Sequence, residues 1–276
     1  MSIYGDKTAI VTGGGSGIGR ALCENLGREG AFVVVADVNA ESAGHVAAKI
    51  EQDGGRAEAV RLDVTVEPEV RKLIEDTARE HDRLDYVFNN AGIGIGGEVR
   101  DMNLDHWRRI VDVNLWGVIY GTLAAYRVMI EQGSGHIVNT ASSAALIPAP
   151  LLAAYGTTKH AVLGLSTSLR CEGAGLGVRV SVVCPGFIDT AIFDKTEYVR
   201  SSKERVWSNL PSFIRMMPAD DCARVILQGV ARNKGVIPVQ GITHVLWWIN
   251  RLSPRLLARN LLKSVEAYRS GARQAQ

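Results

Sequence analysis

The sequence predicts an α/β domain built on a doubly wound, parallel β-sheet. Three observations carry that prediction. Short continuous apolar runs recur along the chain, as strands buried on both faces of a sheet do. Each run is followed by a segment with helical spacing, the alternation that produces parallel sheets. The first run passes through a glycine-rich turn directly into a helix. The chain has 276 residues, a length that suits one large α/β domain.

Thr8 to Val11 is the first buried strand, and Gly17 to Glu29 the first helix, with Ile18, Leu22 and Leu26 on one face. Ala31 to Ala36 is the second strand, and residues 40–52 a helix closed by Gly54-Gly55. Ala57 to Leu62 is the third strand, and 67–80 a helix with Pro68 in its first turn. Tyr86 to Phe88 is the fourth strand, with one long helix over about 105–131 after it. His136 to Thr140 is the fifth strand, about 154–173 a helix, and Val178 to Val183 the sixth strand. After an irregular stretch, Pro218 opens a helix with Asp220 and Asp221 in its first turn, and Val236 to Val239 is a seventh strand.

The chain is 46% hydrophobic and 22% charged, near the globular average, which excludes a disordered, collagen-like or fully membrane-embedded protein. A net charge of +2 does not suggest nucleic acid as a partner. The charge is unevenly placed: residues 244–276 carry +5 and residues 1–243 carry −3. Cys23, Cys171, Cys184 and Cys222 lie far apart, with no CxxC. They fit neither a metal site nor a disulfide framework, and read as reduced thiols of a cytoplasmic protein. No apolar h-region follows Met1, and no uninterrupted apolar run approaches 18 residues, so neither a secretory signal nor a spanning helix is expected.

Function is written first in Thr12-Gly13-Gly14-Gly15-Ser16-Gly17-Ile18-Gly19. Strand, glycine-rich turn and helix in immediate succession form a Rossmann-type dinucleotide loop: backbone N–H groups and a helix N-terminus face the pyrophosphate, and glycines let the backbone approach it. A glycine turn alone also occurs for purely structural reasons. Asp37 strengthens the case. It ends the second strand, 18 residues after Gly19, where an acid bonds the adenosine ribose. Its charge repels a 2′-phosphate, and neither Ser16 nor Val38 supplies a cation to hold one. NAD is therefore expected over NADP. The plainer alternative is that Asp37 caps the next helix.

Five more signals follow in order: Asn89-Asn90-Ala91-Gly92, Asn114, Ser142, Tyr155-x-x-x-Lys159 and Pro185-Gly186. With TGxxxGxG they make the chain resemble the short-chain dehydrogenase/reductase family over residues 5–240. The resemblance implies that Thr12, Gly13, Ser16, Gly17, Ile18 and Gly19 form the coenzyme loop, with Asp37 on the ribose. It implies that Asp63-Val64 contacts adenine and that Asn90, Ala91 and Gly92 lie beside the adenosine ribose. Asn114, Ser142, Tyr155 and Lys159 match the catalytic tetrad. Pro185, Gly186, Ile188 and Thr190 match the segment holding the nicotinamide carboxamide. Ser142 is preferred to Ser143 because it lies 13 residues before Tyr155, as the family pattern requires.

The residue types suit hydride transfer at an alcohol carbon. A free tyrosine, with pKa about 10, is a poor base. Lys159, one helical turn from Tyr155, is expected to lower it and to bond the nicotinamide ribose. Ser142 would position the substrate oxygen, while the resemblance gives Asn114 a supporting part in a proton relay through Lys159.

Residues 187–217 form a long segment rich in large apolar side chains: Phe187, Ile188, Ile192, Phe193, Tyr198, Val199, Trp207, Leu210, Phe213, Ile214, Met216 and Met217. Such a segment can close over a lipophilic substrate, and Leu146, Ile147, Leu151 and Leu152 point the same way. The alternative is that these residues pack only on the protein. Gln240-Gly241 stands where many family members carry Asp-Gly-Gly, which puts the common tetramer in doubt and leaves a homodimer as the expectation, with tetramer as the alternative. The chain divides into a catalytic domain, 1–243, and a basic amphipathic extension, 244–276. That extension either packs on the body or contacts an anionic membrane surface peripherally.

The expected activity is hydride transfer between NAD(H) and a lipophilic secondary alcohol or ketone. An NADPH-dependent 3-oxoacyl-thioester reductase is the alternative on the same residues, and a non-catalytic nucleotide-binding regulator a third reading of the same fold.

Overall fold

The computed structural model describes residues 2–207 and 215–274. The first apolar run is strand β1 (Thr8–Thr12), buried along its whole length. It is followed by α1 (Gly17–Arg28), β2 (Phe32–Asp37), α2 (Ala40–Gln52), β3 (Arg56–Arg61), α3 (Glu67–Glu80) and β4 (Tyr86–Asn89). Next come the two-residue strand β5 (Ile95–Gly96), α4 (Leu104–Val111), a π-turn (Asp112–Trp116), α5 (Gly117–Gln132), β6 (Gly135–Thr140), α6 (Ala153–Gly173) and β7 (Val178–Cys184). The segment expected to be irregular contains β8 (Ile188–Asp189), α7 (Ile192–Lys195), β9 (Glu197–Tyr198), α8 (Lys203–Trp207) and β10 (Met217–Pro218). The chain continues through α9 (Ala219–Ala231), β11 (Val236–Pro238), α10 (Gly241–Leu252) and α11 (Pro254–Gln274).

Among the described residues, seven strands form one parallel sheet in the order β11-β7-β6-β4-β1-β2-β3. The chain builds outward from β1 through β2 to β3, then returns to place β4 on the other side of β1. This reversal opens a crevice at the carboxyl ends of β1 and β4, where ligands bind in open α/β sheets. Alternate residues of β1 serve opposite layers. Ala9 and Val11 pack with Leu22, Leu26 and Ile226 on one face, while Ile10 packs with Ile74, Ala125 and Met129 on the other. Continuous apolar strands thus follow from two helical layers. β3 differs because it is the sheet edge: Ala57 is buried but Arg56, Ala59 and Arg61 are exposed.

The single helix expected over 105–131 is interrupted. The π-turn between α4 and α5 holds Asn114 fully buried, and its amide brackets one backbone unit. Oδ1 accepts from the Ile93 N–H at 2.8 Å and Nδ2 donates to the Ile93 carbonyl at 2.9 Å. Inserted π-turns of this kind recur at functional sites, and periodicity alone cannot reveal one. Residues Leu104–Gln132 are long and apolar enough, by composition, to cross a membrane. Here Ile110, Val118, Ala125 and Met129 are buried in the protein, which accounts for that composition.

Candidate active site

At the crevice, strand β1 gives way to a loop that only glycine can follow. Gly13 and Gly17 have φ of +66° and +54°, in the left-handed region. A Cβ on Gly19 would lie 2.0 Å from the Gly13 carbonyl oxygen, so the loop folds directly onto the start of α1. The Gly14 N–H donates to the Ala36 carbonyl at 3.0 Å and the Gly15 N–H to Asp37 Oδ2 at 3.0 Å. Thr12 works from below: its hydroxyl accepts the N–H groups of Asn90 and Ala91 at 3.0 and 3.1 Å, joining the glycine loop to the turn after β4.

Two features suit this end to an anionic dinucleotide. Ser16 stands at the N-cap of α1, but its side chain makes no capping bond, and the first turn has no acid. Ser16, Gly17 and Ile18 line the cavity, so the positive end of the helix dipole faces it. Across the loop, Asp37 presents a carboxylate beside the exposed, uncharged Val38. The plainer role for Asp37 fails: α2 is capped by Asn39, whose side chain accepts the Ser42 N–H at 2.8 Å. Asp63 and Val64 close the same end. Two bonds from Thr65, its N–H and its hydroxyl, hold the Asp63 carboxyl below the usual carboxylate range.

The groups expected to perform the chemistry converge where β6, α6 and β7 meet. Tyr155 and Lys159 are one turn apart on α6, with the Lys159 ammonium 5.6 Å from the tyrosine ring centre. Lys159 is 3% exposed and donates to the Thr140 carbonyl at 2.9 Å. Burial pushes it down to about 8. Ser142 follows β6, and its hydroxyl accepts the Ala144 N–H at 3.2 Å. A Cβ on Gly92 would lie 3.2 Å from Asn114 Oδ1 and 3.5 Å from Lys159 Nζ, so both side chains approach that turn closely.

The expectation that Lys159 lowers the Tyr155 pKa is corrected here. Burial raises the phenol, and a hydrogen bond with Ser142 draws it part way back. The ammonium donates to the Thr140 carbonyl, and burial lowers the lysine as it raises the phenol. Cys184, pushed up to about 12 by burial, stays a neutral thiol beneath the cluster.

These groups gather around one cavity of about 760 Å³. Of the residues expected to bind coenzyme or perform chemistry, every one lines it except Thr12, Gly19 and Asn114, which lie behind the wall. The far end is apolar. Ile147, Leu152, Phe187, Ile188, Ile192, Phe193 and Trp207 line it, whereas Leu146, Leu151, Tyr198, Val199, Met216 and Met217 do not. Leu210, Phe213 and Ile214 lie outside the described residues. Trp207 is the keystone: it meets Phe193 and Phe187 edge-on at 5.3 and 5.9 Å. Its indole N–H donates to the Tyr198 hydroxyl at 2.8 Å.

Sequence reasoning missed the contribution of the C-terminal helices. Ile242, Thr243 and Leu246 of α10 and Leu261 of α11 line the cavity. Just before them, Gln240 clamps the segment after Pro185-Gly186. Its Oε1 accepts the Phe187 N–H at 2.8 Å and its Nε2 donates to the Phe187 carbonyl at 3.0 Å. A lone polar residue ending an apolar run was a signal; its partner, 53 residues earlier, was not legible.

Comparison with known proteins bears on this arrangement. The family model described as short chain dehydrogenase matches residues 7–199. A probable oxidoreductase, EphD, of Mycobacterium tuberculosis is 36% identical over 262 residues, 92% of this chain. The chain spans only 44% of that relative's length. An uncharacterized oxidoreductase of Staphylococcus aureus is 40% identical over 192 residues, 70% of this chain and 82% of its own. Among solved structures, a short chain dehydrogenase/reductase from Burkholderia phymatum in complex with NAD superposes with a TM-score of 0.84 at 27% identity, covering 93% of this chain and 97% of its own. A short-chain type dehydrogenase/reductase from Mycobacterium marinum gives 0.78 at 30% identity, covering 86% and 95%.

Proposed function

The chain belongs to the short chain dehydrogenase family, and we propose that it transfers a hydride between NAD(H) and a lipophilic secondary alcohol or ketone. One observation carries the reading: Ser142, Tyr155 and Lys159 meet in the same cavity as the uncapped α1 N-terminus and the Asp37 carboxylate. The glycine cradle, the positive helix end and an acid with no cation at Ser16 or Val38 fit NAD, the coenzyme bound by the Burkholderia phymatum relative.

When bound, the nicotinamide supplies or accepts the hydride. The chain's own residues handle the proton. Tyr155 takes it from the substrate hydroxyl in oxidation and returns it in reduction. Ser142 bonds the substrate oxygen and holds the phenol in line. Lys159 orients the coenzyme ribose and passes protons onward, with Asn114 close beside the same turn. The apolar walls around Trp207 select a lipophilic substrate.

A homodimer completes the proposal. Trp116 and Leu123, on the outer side of the π-turn and α5, are 45% and 48% exposed, and two-fold pairing would cover them. Light scattering giving the mass of one chain would refute this. The reaction is tested by screening secondary alcohols and ketones of increasing chain length with both coenzymes, read by NADH or NADPH absorbance. Turnover with NAD and long secondary alcohols is expected. A preference for NADPH and 3-oxoacyl thioesters would favour the reductase alternative.

A further inference from the structure

The inner side of α10 and α11 walls the cavity, and their outer side is apolar and cationic. Ile242, Val245, Trp248 and Leu252 recur at three- and four-residue intervals along α10 and are 37%, 55%, 51% and 79% exposed. Leu256 follows on α11, 56% exposed. Around them Arg251, Arg255, Arg259 and Lys263 are exposed. The one ion pair α11 makes among the described residues is Arg269 with Glu98, at 2.7 Å. That pair ties the helix to the body and leaves Arg255, Arg259 and Lys263 exposed. An isolated soluble chain gains nothing from such an apolar stripe set among unneutralised bases.

We propose that this face rests on an anionic lipid bilayer, with α10 and α11 lying in the headgroup plane. Trp248 suits that depth, where aromatic rings are enriched, and the arginines and lysine reach the anionic headgroups. Charge decides between a bilayer and a second copy of the chain. An isologous contact through this face would set the basic rows of two subunits against each other, whereas an anionic surface neutralises them. The acidic body, net −3 over residues 1–243, favours an orientation with the tail toward the lipid. Ile242 belongs to both surfaces: it lines the cavity and is exposed on the stripe. It marks where a lipophilic substrate passes from the bilayer into the site, an extension that rests on the proposed activity; the docking itself does not.

Sedimentation of the full chain with vesicles tests the docking without turnover. Binding to phosphatidylcholine vesicles containing phosphatidylglycerol is expected, with little to phosphatidylcholine alone, and it should weaken as salt is raised. Each base near an anionic surface strengthens binding about fivefold. Replacing three (Arg255→Glu, Arg259→Glu, Lys263→Glu) should therefore weaken it about a hundredfold or more, with the melting curve unchanged. Trp248→Ala should weaken it by a smaller factor. Equal binding to both vesicle types, or none to either, overturns the proposal. So does a triple variant whose only change is a smaller mass by light scattering, which would assign the face to a second copy. If docking holds, the same variant should oxidise a vesicle-borne long-chain alcohol more slowly and a water-soluble one at the normal rate. An enzyme that oxidises neither has lost the activity reading and kept the docking.

Discussion

The two ends of the cavity are built on opposite plans. The coenzyme end is made of backbone: glycine N–H groups, a helix terminus and the tips of buried strands, each fixed by neighbours such as Ala36 and Thr12. The apolar end is made of side chains brought from distant segments, with Gln240 gripping Phe187, and Leu246 and Leu261 joining Ile147 and Trp207 in the lining. Backbone geometry leaves little room for change, so the first end suits a ligand that does not vary. Side-chain walls can be resized without moving the sheet, so the second end suits a ligand that does. Between the two lies the cluster on which both depend.

Removing that shared cluster should have the largest effect. Tyr155→Phe is expected to lower kcat about 10²–10⁴-fold, the usual share of general acid–base catalysis, while NAD binding stays near normal. A loss below tenfold would mean that the proton is handled elsewhere. A companion pH profile sharpens the point. Tyr155 must be deprotonated to act as a base, so alcohol oxidation should rise with pH. Ser142→Ala removes the bond that draws the phenol down, so its alkaline limb should move to higher pH; an unmoved or more acidic limb contradicts that bond.

The coenzyme end comes next. Asp37→Ser combined with Val38→Arg replaces a repelling charge with an attracting one. A charge-assisted hydrogen bond contributes about 1.5–3 kcal/mol, so the NADP-to-NAD ratio of kcat/KM should rise by about tenfold to a hundredfold. A wild type that prefers NADPH would break the contrast, because the fixed end would then not read the ribose.

The substrate end should respond to size, more gently. Leu246→Trp narrows the wall supplied by α10. KM for long secondary alcohols should rise by about tenfold, the scale on which apolar pockets discriminate, with short alcohols and NAD little affected. Equal losses for all alcohols would show that α10 supports the fold and not the pocket. The smallest effect is expected for Arg269→Ala. It opens the ion pair with Glu98, whose arginine side is 54% exposed and whose carboxylate keeps Arg100 at 2.9 Å. A stability loss of about 0.2–1 kcal/mol is expected by chemical denaturation; a much larger loss would make this pair the main anchor of α11.

The seven strands, their order along the chain and the glycine loop were legible because they rest on local rules. Apolar runs report burial on two faces, and TGxxxGxG followed by a helix reports a backbone conformation confined to a few consecutive residues. Tyr155 and Lys159 were legible for the same reason: one helical turn places them together whatever surrounds them. Tertiary structure decided the rest. The helix is interrupted where Asn114 pairs with the backbone of Ile93, 21 residues away. That Tyr155 is raised and not lowered depends on how much protein encloses it, a sum over elements that no spacing encodes. That the C-terminal helices wall the cavity depends on Leu257 and Tyr268 finding buried places on the body. Local backbone geometry is set by adjacent residues, so sequence determines it alone; burial and long-range contact are properties of the assembled molecule, and only the fold can set them.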